Sequence, residues 1–394
     1  MKQMIVHCQE NRTEMALLDE GKLVEFASEK TREQGLLGSF FKGRVVNVIP
    51  GMQAAFVDIG QKRNAFLYVD DVLHPNLEKH AKIKPAISEL LRVGQEIVVQ
   101  VLKEPVGSKG ARVTTHYSLP GRWIVYMPEA DYVAVSKKIA TEEERARLRS
   151  LGEKLRRRGE GLIIRTVSQK ESLEAIAGDL EELREQWKLI QEKSHQLSAP
   201  LLLHRDMSMV QRLIRDVFTP GEDELVIDNE GQARDAAAYL KQINGGRESR
   251  ITSYTKPEPI FCAMGVKGQL ERDFARKVWL AGGGYVVIDH TEALTVIDVN
   301  TGKYTGGSTL EETVTETNVQ AAVEIARLIR LRDIGGIIII DFIDMEEEQN
   351  RRRVTDALDE CLKKDRTQTY VVGWTRLGLL ELTRKKVREE KTLS

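Results

Sequence analysis

Two stretches decide how this chain is read: "EALTVIDVNTGKYTGG", residues 292–307, and "IIIIDFID", residues 337–344. The first is an apolar run that ends in Asp298 and Asn300 and then meets a glycine-rich turn. The second is a continuous apolar run that ends in Asp341. Between them lies a helical pattern from about Leu310 to Arg332. Thr309 and Glu312 have the spacing of a capping box at its start, and Gly335 and Gly336 stop it. Strand, helix, strand in this order predicts a βαβ unit with a right-handed crossover. A run as apolar as the second fits a parallel sheet covered on both faces.

Ligands of such sheets gather outside the carboxyl ends of the strands. Side chains repeat every two residues along a strand, so Asp298 and Asn300 share a face. If the two strands are neighbours, Asp341 joins them from far away in sequence. Two close carboxylates are costly to bury unless a proton or a cation intervenes. A hard cation such as Mg2+, which takes one or two carboxylates and keeps several waters, resolves the conflict. The rival reading makes each aspartate a turn former or a helix cap. No GxxxxGK[ST] pattern occurs, so the phosphate cradle of a P-loop hydrolase is missing. Gly282–Gly284 precede a strand rather than a helix, so they read as a hairpin turn and not as a dinucleotide fingerprint.

The rest of the chain organises around this unit. Its 394 residues, 41% apolar and 30% charged, describe a soluble globular protein of several domains. No apolar run approaches the ~18 residues of a spanning helix, and the N-terminus lacks a signal-peptide core. The expected location is the cytoplasm, with no membrane partner. Cys8, Cys262 and Cys361 stand far apart, which predicts reduced thiols and no zinc site. A net charge of −1 decides nothing about nucleic acid, although ten Lys/Arg stand against five Asp/Glu from Ser136 to Arg165. That stretch reads as a solvated helix face unless its neighbours also bind nucleic acid.

Residues 3–35 alternate in the strand manner, with "DEGK" as a hairpin turn. Residues 37–118 hold five short strands punctuated by glycine and proline, the pattern of a small barrel. Phe56 and Phe66 fall on successive strands of it. Exposed, they would stack unpaired bases, with Lys62, Lys109 and Arg112 available for phosphates. Buried, they would be ordinary core, and residue type alone does not decide. Strands and charged helices mix over 119–200, and helix, strand and helix alternate over 201–277. After "IIIIDFID" the pattern predicts a helix in "EEQNRRRVTDALDECLKK", a strand in "QTYVVGW" and a helix in "GLLELTRKKVRE".

Several long stretches match a known family. "VIDHTEALTVIDVNTGKYTGG", "RLRDIGGIIIIDFIDM" and "RLGLLELTRKK" resemble signature stretches of the bacterial ribonuclease E/G family. "GRVVNVIPGMQAAFVDIGQKRNAFL" resembles that family's RNA-binding barrel, an OB fold of the ribosomal-protein-S-one type, and leans toward the ribonuclease G branch. The resemblance covers essentially the whole chain in order. It implies an α+β multi-domain fold. An RNase-H-like subdomain would comprise residues 1–36 and 200–276, interrupted by an OB-fold barrel over 37–118 and a 5′-sensor subdomain over 119–199. A DNase-I-like α/β catalytic subdomain would fill 277–394.

The activity implied is Mg2+-dependent endonucleolytic hydrolysis of single-stranded RNA, leaving 5′-phosphate and 3′-hydroxyl ends. The substrates implied are rRNA precursors and mRNA, with stimulation by a 5′-monophosphate. Asp298 and Asp341 are then the ligands of one Mg2+, and Asn300 orients the scissile phosphate or a water. Asp344 stands behind them rather than among the ligands. "GLIIRTVS" resembles the family's 5′-end sensor, which puts Arg165 and Thr166 on the terminal phosphate, a group that a guanidinium fork beside a hydroxyl suits. Without the resemblance, this Arg-Thr reads as an exposed edge pair. No histidine or serine nucleophile is required, so His116 and His290 read as structural. The family's paired-cysteine zinc motif follows the "LLELTRKK" segment, and the last residues here, "EEKTLS", hold none. Zinc and a zinc-linked dimer are therefore not expected, while a homodimer or higher oligomer stays open. So does the alternative of a non-catalytic RNA-binding factor with an inactive metal site. A small-molecule phosphatase leaves the barrel unexplained.

Overall fold

Strands and helices share the chain in the computed structural model, which describes residues 1–30, 35–73, 85–105, 109–139, 141–219, 221–243, 250–302 and 309–386. The chain divides into two compact units. One comprises Met1–Ser28, Thr219–Ala237 and Glu248–Ser394; the other comprises Glu29–Phe218 and Ala238–Arg247.

The first unit holds two sheets. In the five-stranded sheet the order is Arg250–Ser253, Glu224–Ile227, Lys2–Cys8, Arg12–Asp19, Lys22–Lys30. Lys2–Cys8 runs parallel to Glu224–Ile227 and antiparallel to Arg12–Asp19. The turn read in "DEGK" is present. Glu20 and Gly21 take φ of 50° and 79°, the left-handed pair that a tight hairpin uses. The six-stranded sheet runs Lys277–Trp279, Tyr285–His290, Leu294–Asn300, Gly336–Asp341, Leu380–Arg384, Thr369–Trp374. The two sheets contribute to one apolar core that includes Ile5, Leu23, Ile297 and Ile340.

The βαβ unit is present: Leu294–Asn300 and Gly336–Asp341 are parallel neighbours joined through the helix Leu310–Arg332. Every other neighbouring pair in this sheet is antiparallel. The sheet is thus mixed, and the expectation of a parallel sheet covered on both faces is corrected. Ile338 and Ile340 are buried, while Ile337 is 50% exposed. Four consecutive isoleucines conceal an ordinary two-sided alternation, because residue type no longer reports which face is covered.

The helix starts at the expected residue, with the Thr309 hydroxyl accepting from the Glu312 amide at 3.1 Å, the N-cap half of the expected box. Its stop differs. Asp333, not a glycine, takes the left-handed conformation at φ 58°, a region that aspartate tolerates better than most residues. Its carboxylate accepts from Arg384 Nη1 at 2.8 Å.

"GLLELTRKKVRE" is a second correction. Over Leu380–Arg384 it is a strand, and residues 387–389 lie outside the described residues. Leu380, Leu382 and Arg384 are buried and alternate with Glu381 and Thr383, a period of two that no helix satisfies. A turn with Gly378 at φ 82° folds it back on Thr369–Trp374, which is a strand as expected. Arg384 is anchored at the far end of the sheet from Asp341. Its Nε donates to Asp365 Oδ2 at 2.7 Å, and its Nη1 also donates to the Ile334 carbonyl at 3.0 Å.

In the second unit, the strands Phe40–Ile49, Ala54–Asp58, Ala65–Tyr68, Arg112–Thr114 and Glu96–Lys103 close on themselves as an OB-like barrel. Phe41, Val57, Leu67, Val99 and Val113 fill it. Beside it in this unit, Val133–Val135, Gly161–Ile164, Ile124–Met127 and Leu119–Pro120 form a four-stranded sheet. That sheet shares a core with the helices Glu142–Leu155 and Leu173–Gln196. The architecture is therefore mixed α+β with a closed barrel. Among the described residues no helix is long and apolar enough to cross a membrane. The three cysteines are free thiols.

Removing one partner of a buried ion pair strands the other charge. Arg384→Met is expected to lower the stability of the first unit by about 3–5 kcal/mol, read as a fall in the urea midpoint by circular dichroism. A loss below about 1 kcal/mol, the worth of an exposed pair, would contradict the burial argument.

Candidate active site and nucleic-acid surfaces

The parallel register sets Asp298 directly opposite Asp341. Asp341 closes its strand, and both carboxylates lie on the sheet face away from Ile297 and Ile340, which are buried. Asn300 shares that face, two residues beyond Asp298, and its Nδ2 donates to Asp298 Oδ2 at 2.7 Å. Partial burial pushes the Asp341 carboxyl above its ordinary range, and the negative charges of Asp298 and Asp344 push it further. Among the described residues no lysine or arginine pairs with any of these three aspartates. Nor does any group of three or more His, Cys, Asp or Glu gather closely enough there to hold a metal ion. The protein's own donors are thus two carboxylates and an amide. That set suits a hard cation that keeps several waters, since oxygen donors and uncompensated negative charge are what such an ion requires.

One supporting residue carried no signal in the sequence reading. Asn318 is fully buried on the crossover helix. Its Nδ2 donates to the Ile343 carbonyl at 2.8 Å, and its Oδ1 accepts from the Ile343 amide at 3.1 Å. The two bonds clamp the turn that follows Asp341. The available clue was an amide within the apolar stripe of a helix, where a buried polar group must find a partner. Glycine is required at the other strand's end. Any Cβ on Gly284 would lie 2.9 Å from the Asn300 carbonyl oxygen. Gly282–Gly284 form the expected hairpin turn, with Gly283 at φ 95°. Residues 303–308 of the glycine-rich turn lie outside the described residues.

The remaining expected site residues fall in the second unit. Phe56 and Phe66 are direct cross-strand partners on the barrel, with ring centroids 5.8 Å apart and edge to face at 73°. Both are half-buried and face outward, while Ala55, Val57, Ala65 and Leu67 point into the core. Arg112 extends this row beside Phe66, but its Nε and Nη2 both donate to Asp71 Oδ2, at 3.0 and 2.8 Å. Lys62 and Lys109 are exposed.

Arg165 follows the strand Gly161–Ile164. Its Nη1 donates to the Gly121 carbonyl at 2.7 Å and its Nη2 to Asp216 Oδ1 at 2.6 Å. Thr166 Oγ1 lies 2.9 Å from Ser136 Oγ. Burial raises Asp216, but hydrogen bonds and charges from Arg215 and Arg165 outweigh it and hold the carboxyl below its ordinary range. The fork of Arg165 therefore already grips one anionic group. In the basic stretch, Arg145, Arg147 and Arg156 pair with Glu142, Glu144 and Glu153 of their own helix, the bland arrangement of a solvated face. His290 Nδ1 lies 3.1 Å from Thr295 Oγ1, and the His116 ring bonds the Leu73 carbonyl.

A sequence profile of the Ribonuclease E/G family matches residues 118–387, well over half of the chain. The chain belongs to the ribonuclease E/G family. It is 40% identical to ribonuclease G of Haemophilus influenzae over 393 residues, 98% of this chain and 80% of that protein. To ribonuclease G of Escherichia coli K12 it is 39% identical, again over 98% of this chain and 80% of the relative. Ribonuclease E of Nostoc sp. PCC 7120 is 40% identical over 89% of this chain and 51% of its own length. The region matching the ribonuclease E/G profile contains Arg165, Asp298 and Asp341, and the ribonuclease G likeness extends through the barrel as well.

The Asn318 clamp is testable. Residues that orient ligands from behind typically cost 10- to 100-fold in activity or metal affinity when changed. Asn318→Ala should lower kcat by on the order of ten-fold while RNA affinity holds. An unchanged kcat would show that the turn after Asp341 needs no clamp.

Proposed function

We propose that this endoribonuclease hydrolyses single-stranded RNA at the acidic edge formed by Asp298, Asn300 and Asp341, with one Mg2+ held by the two aspartates. The observation that supports this most is the parallel register that places Asp298 opposite Asp341 with no cationic partner for either among the described residues. A bound Mg2+ supplies charge neutralisation at the phosphoryl oxygens and acidifies a water for the attack. The chain's own residues do the rest. Asp298 and Asp341 bind, and Asn300 holds the Asp298 carboxylate in place through its amide. Its carbonyl end remains an acceptor that can orient a water or a 2′-hydroxyl. The products are a 5′-phosphate and a 3′-hydroxyl.

The substrates in this reading are rRNA precursors and mRNA, met in the cytoplasm. Phe56 and Phe66 offer ring surface to bases, and Lys62 and Lys109 offer ammonium groups to phosphates. Arg112 contributes only as far as it shares its charge with Asp71. Arg165 and Thr166 take the 5′-monophosphate, with Asp216 as the competitor it displaces. The subdomain plan goes with this reading. A five-stranded sheet assembled from residues 2–30 and 224–253 is what a split RNase-H-like subdomain requires, with the barrel and sensor segments inserted between its parts.

Asp298→Asn and Asp341→Asn should each abolish Mg2+-dependent cleavage of a single-stranded RNA oligonucleotide, with RNA affinity within about two-fold of the parent, because one carboxylate cannot do the work of a pair. Near-normal cleavage by both variants would remove the metal assignment. At the sensor, an RNA with a 5′-monophosphate should be cut faster than its 5′-hydroxyl counterpart, and Arg165→Ala should erase that preference. Equal rates on the two RNAs with the unmodified chain would refute the sensor.

A further inference from the structure

The open face of the catalytic sheet carries an aromatic pair that the acidic site does not use. Cross-strand register puts Trp279 opposite Tyr285, and Tyr285 opposite Asn300, so these three residues form one row. The next row on the same face is Lys277, Val287, Asp298 and Asp341. The Trp279 and Tyr285 rings lie edge to face, 5.2 Å between centroids at 63°. Lys277 Nζ sits 4.2 Å from the Trp279 centroid and 3.5 Å from that of Tyr285. Among the described residues no carboxylate pairs with this ammonium. Trp279 stays 52% exposed, although its indole is one of the largest ring surfaces a side chain can present.

We propose that Trp279, Tyr285 and Lys277 form a subsite for the nucleotide adjoining the scissile phosphate, with its base stacked on Trp279 and its phosphate on Lys277. The inference rests on the reading that Asp298 and Asp341 cleave RNA. Neighbouring strands are about 4.8 Å apart, so the aromatic row begins one strand from Asn300 and Lys277 stands two strands from Asp298. That is within reach of the next nucleotide. Charge supports an RNA occupant: a ring face and an unpaired ammonium are the two features that single-stranded nucleic acid uses, sequence-tolerantly. The ammonium also draws the backbone to this side of two carboxylates that would otherwise repel it. Tyr285 buttresses Trp279 and fixes the angle of the indole.

The test uses the full chain carrying Asp341→Asn so that RNA stays intact, with and without Trp279→Ala or Trp279→Phe. Stacking on one aromatic side chain is worth enough that its removal weakens single-strand binding by about 5-fold or more. Trp279→Ala should raise Kd for a single-stranded RNA oligonucleotide by at least that factor, and Trp279→Phe should stay within about two-fold because a ring remains. Single-stranded RNA should also quench tryptophan fluorescence, and Trp279→Phe should remove most of the quenching, whereas a blunt RNA duplex should quench little. Unchanged Kd and quenching in Trp279→Ala would overturn the subsite. So would sedimentation showing that the parent is a dimer which Trp279→Ala dissociates, since the face would then belong to a second copy. Both readouts are independent of cleavage. A failed subsite is thus distinguished from a failed metal site, which shows instead as cleavage surviving Asp298→Asn and Asp341→Asn.

Discussion

Two like charges held side by side on adjacent strands constrain everything around them. Asp298 and Asp341 face each other because their strands are parallel and in register, and no described basic side chain relieves the repulsion. Amides hold the groups on either side of the pair. Asn300 ties one carboxylate at 2.7 Å, and Asn318 ties the turn behind the other through both edges of the Ile343 peptide. Neighbouring carboxylates with no basic partner among the described residues are the kind of donor pair a hard cation takes.

Buried charges at the opposite end keep the scaffold rigid. Arg327 Nη1 donates to the fully buried Asp273 at 2.7 Å and to the Leu23 carbonyl at 2.6 Å, while Arg332 Nε donates to the Asp273 carbonyl at 2.7 Å. These bonds tie the crossover helix to the strand Lys22–Lys30 of the five-stranded sheet and to the helix Val266–Asp273. Arg384 does the same for the inner strand through Asp365 and Asp333. Each network is costly to desolvate and costlier still to break, so its contribution is to permit one arrangement rather than to add stability.

Much of this was legible from local pattern. Periodicity put Asp298 and Asn300 on one face, and the strand, helix, strand order supplied Asp341 as their partner. The five barrel strands likewise follow from short-range signals, and so does the placement of Phe56 and Phe66 on successive strands, although only the fold could tell outward from inward. What escaped depended on distant partners. The Leu380–Arg384 segment reads as a helix because leucine, glutamate and arginine favour one, and tertiary burial of alternate residues overrides that preference. Asp333 displaces glycine at the helix stop because Arg384, far along the chain, holds its carboxylate. The grip of Asp71 on Arg112 and of Asp216 on Arg165 is invisible for the same reason. Ion pairing changes what a basic residue can offer a phosphate, and no window of neighbouring residues reports it.

The one parallel pair of the six-stranded sheet also has a bearing on how the nuclease is made. Gly336–Asp341 is an inner strand only because Leu380–Arg384 covers its second edge. While the chain emerges during synthesis, that edge is bare and the acidic pair stands on an unfinished sheet. Closing the long crossover and then adding two later strands are non-local steps, and these are the slow ones in folding. The sheet that carries the acidic edge is therefore complete only once residues 369–384 are in place, later in the chain than every strand of the barrel.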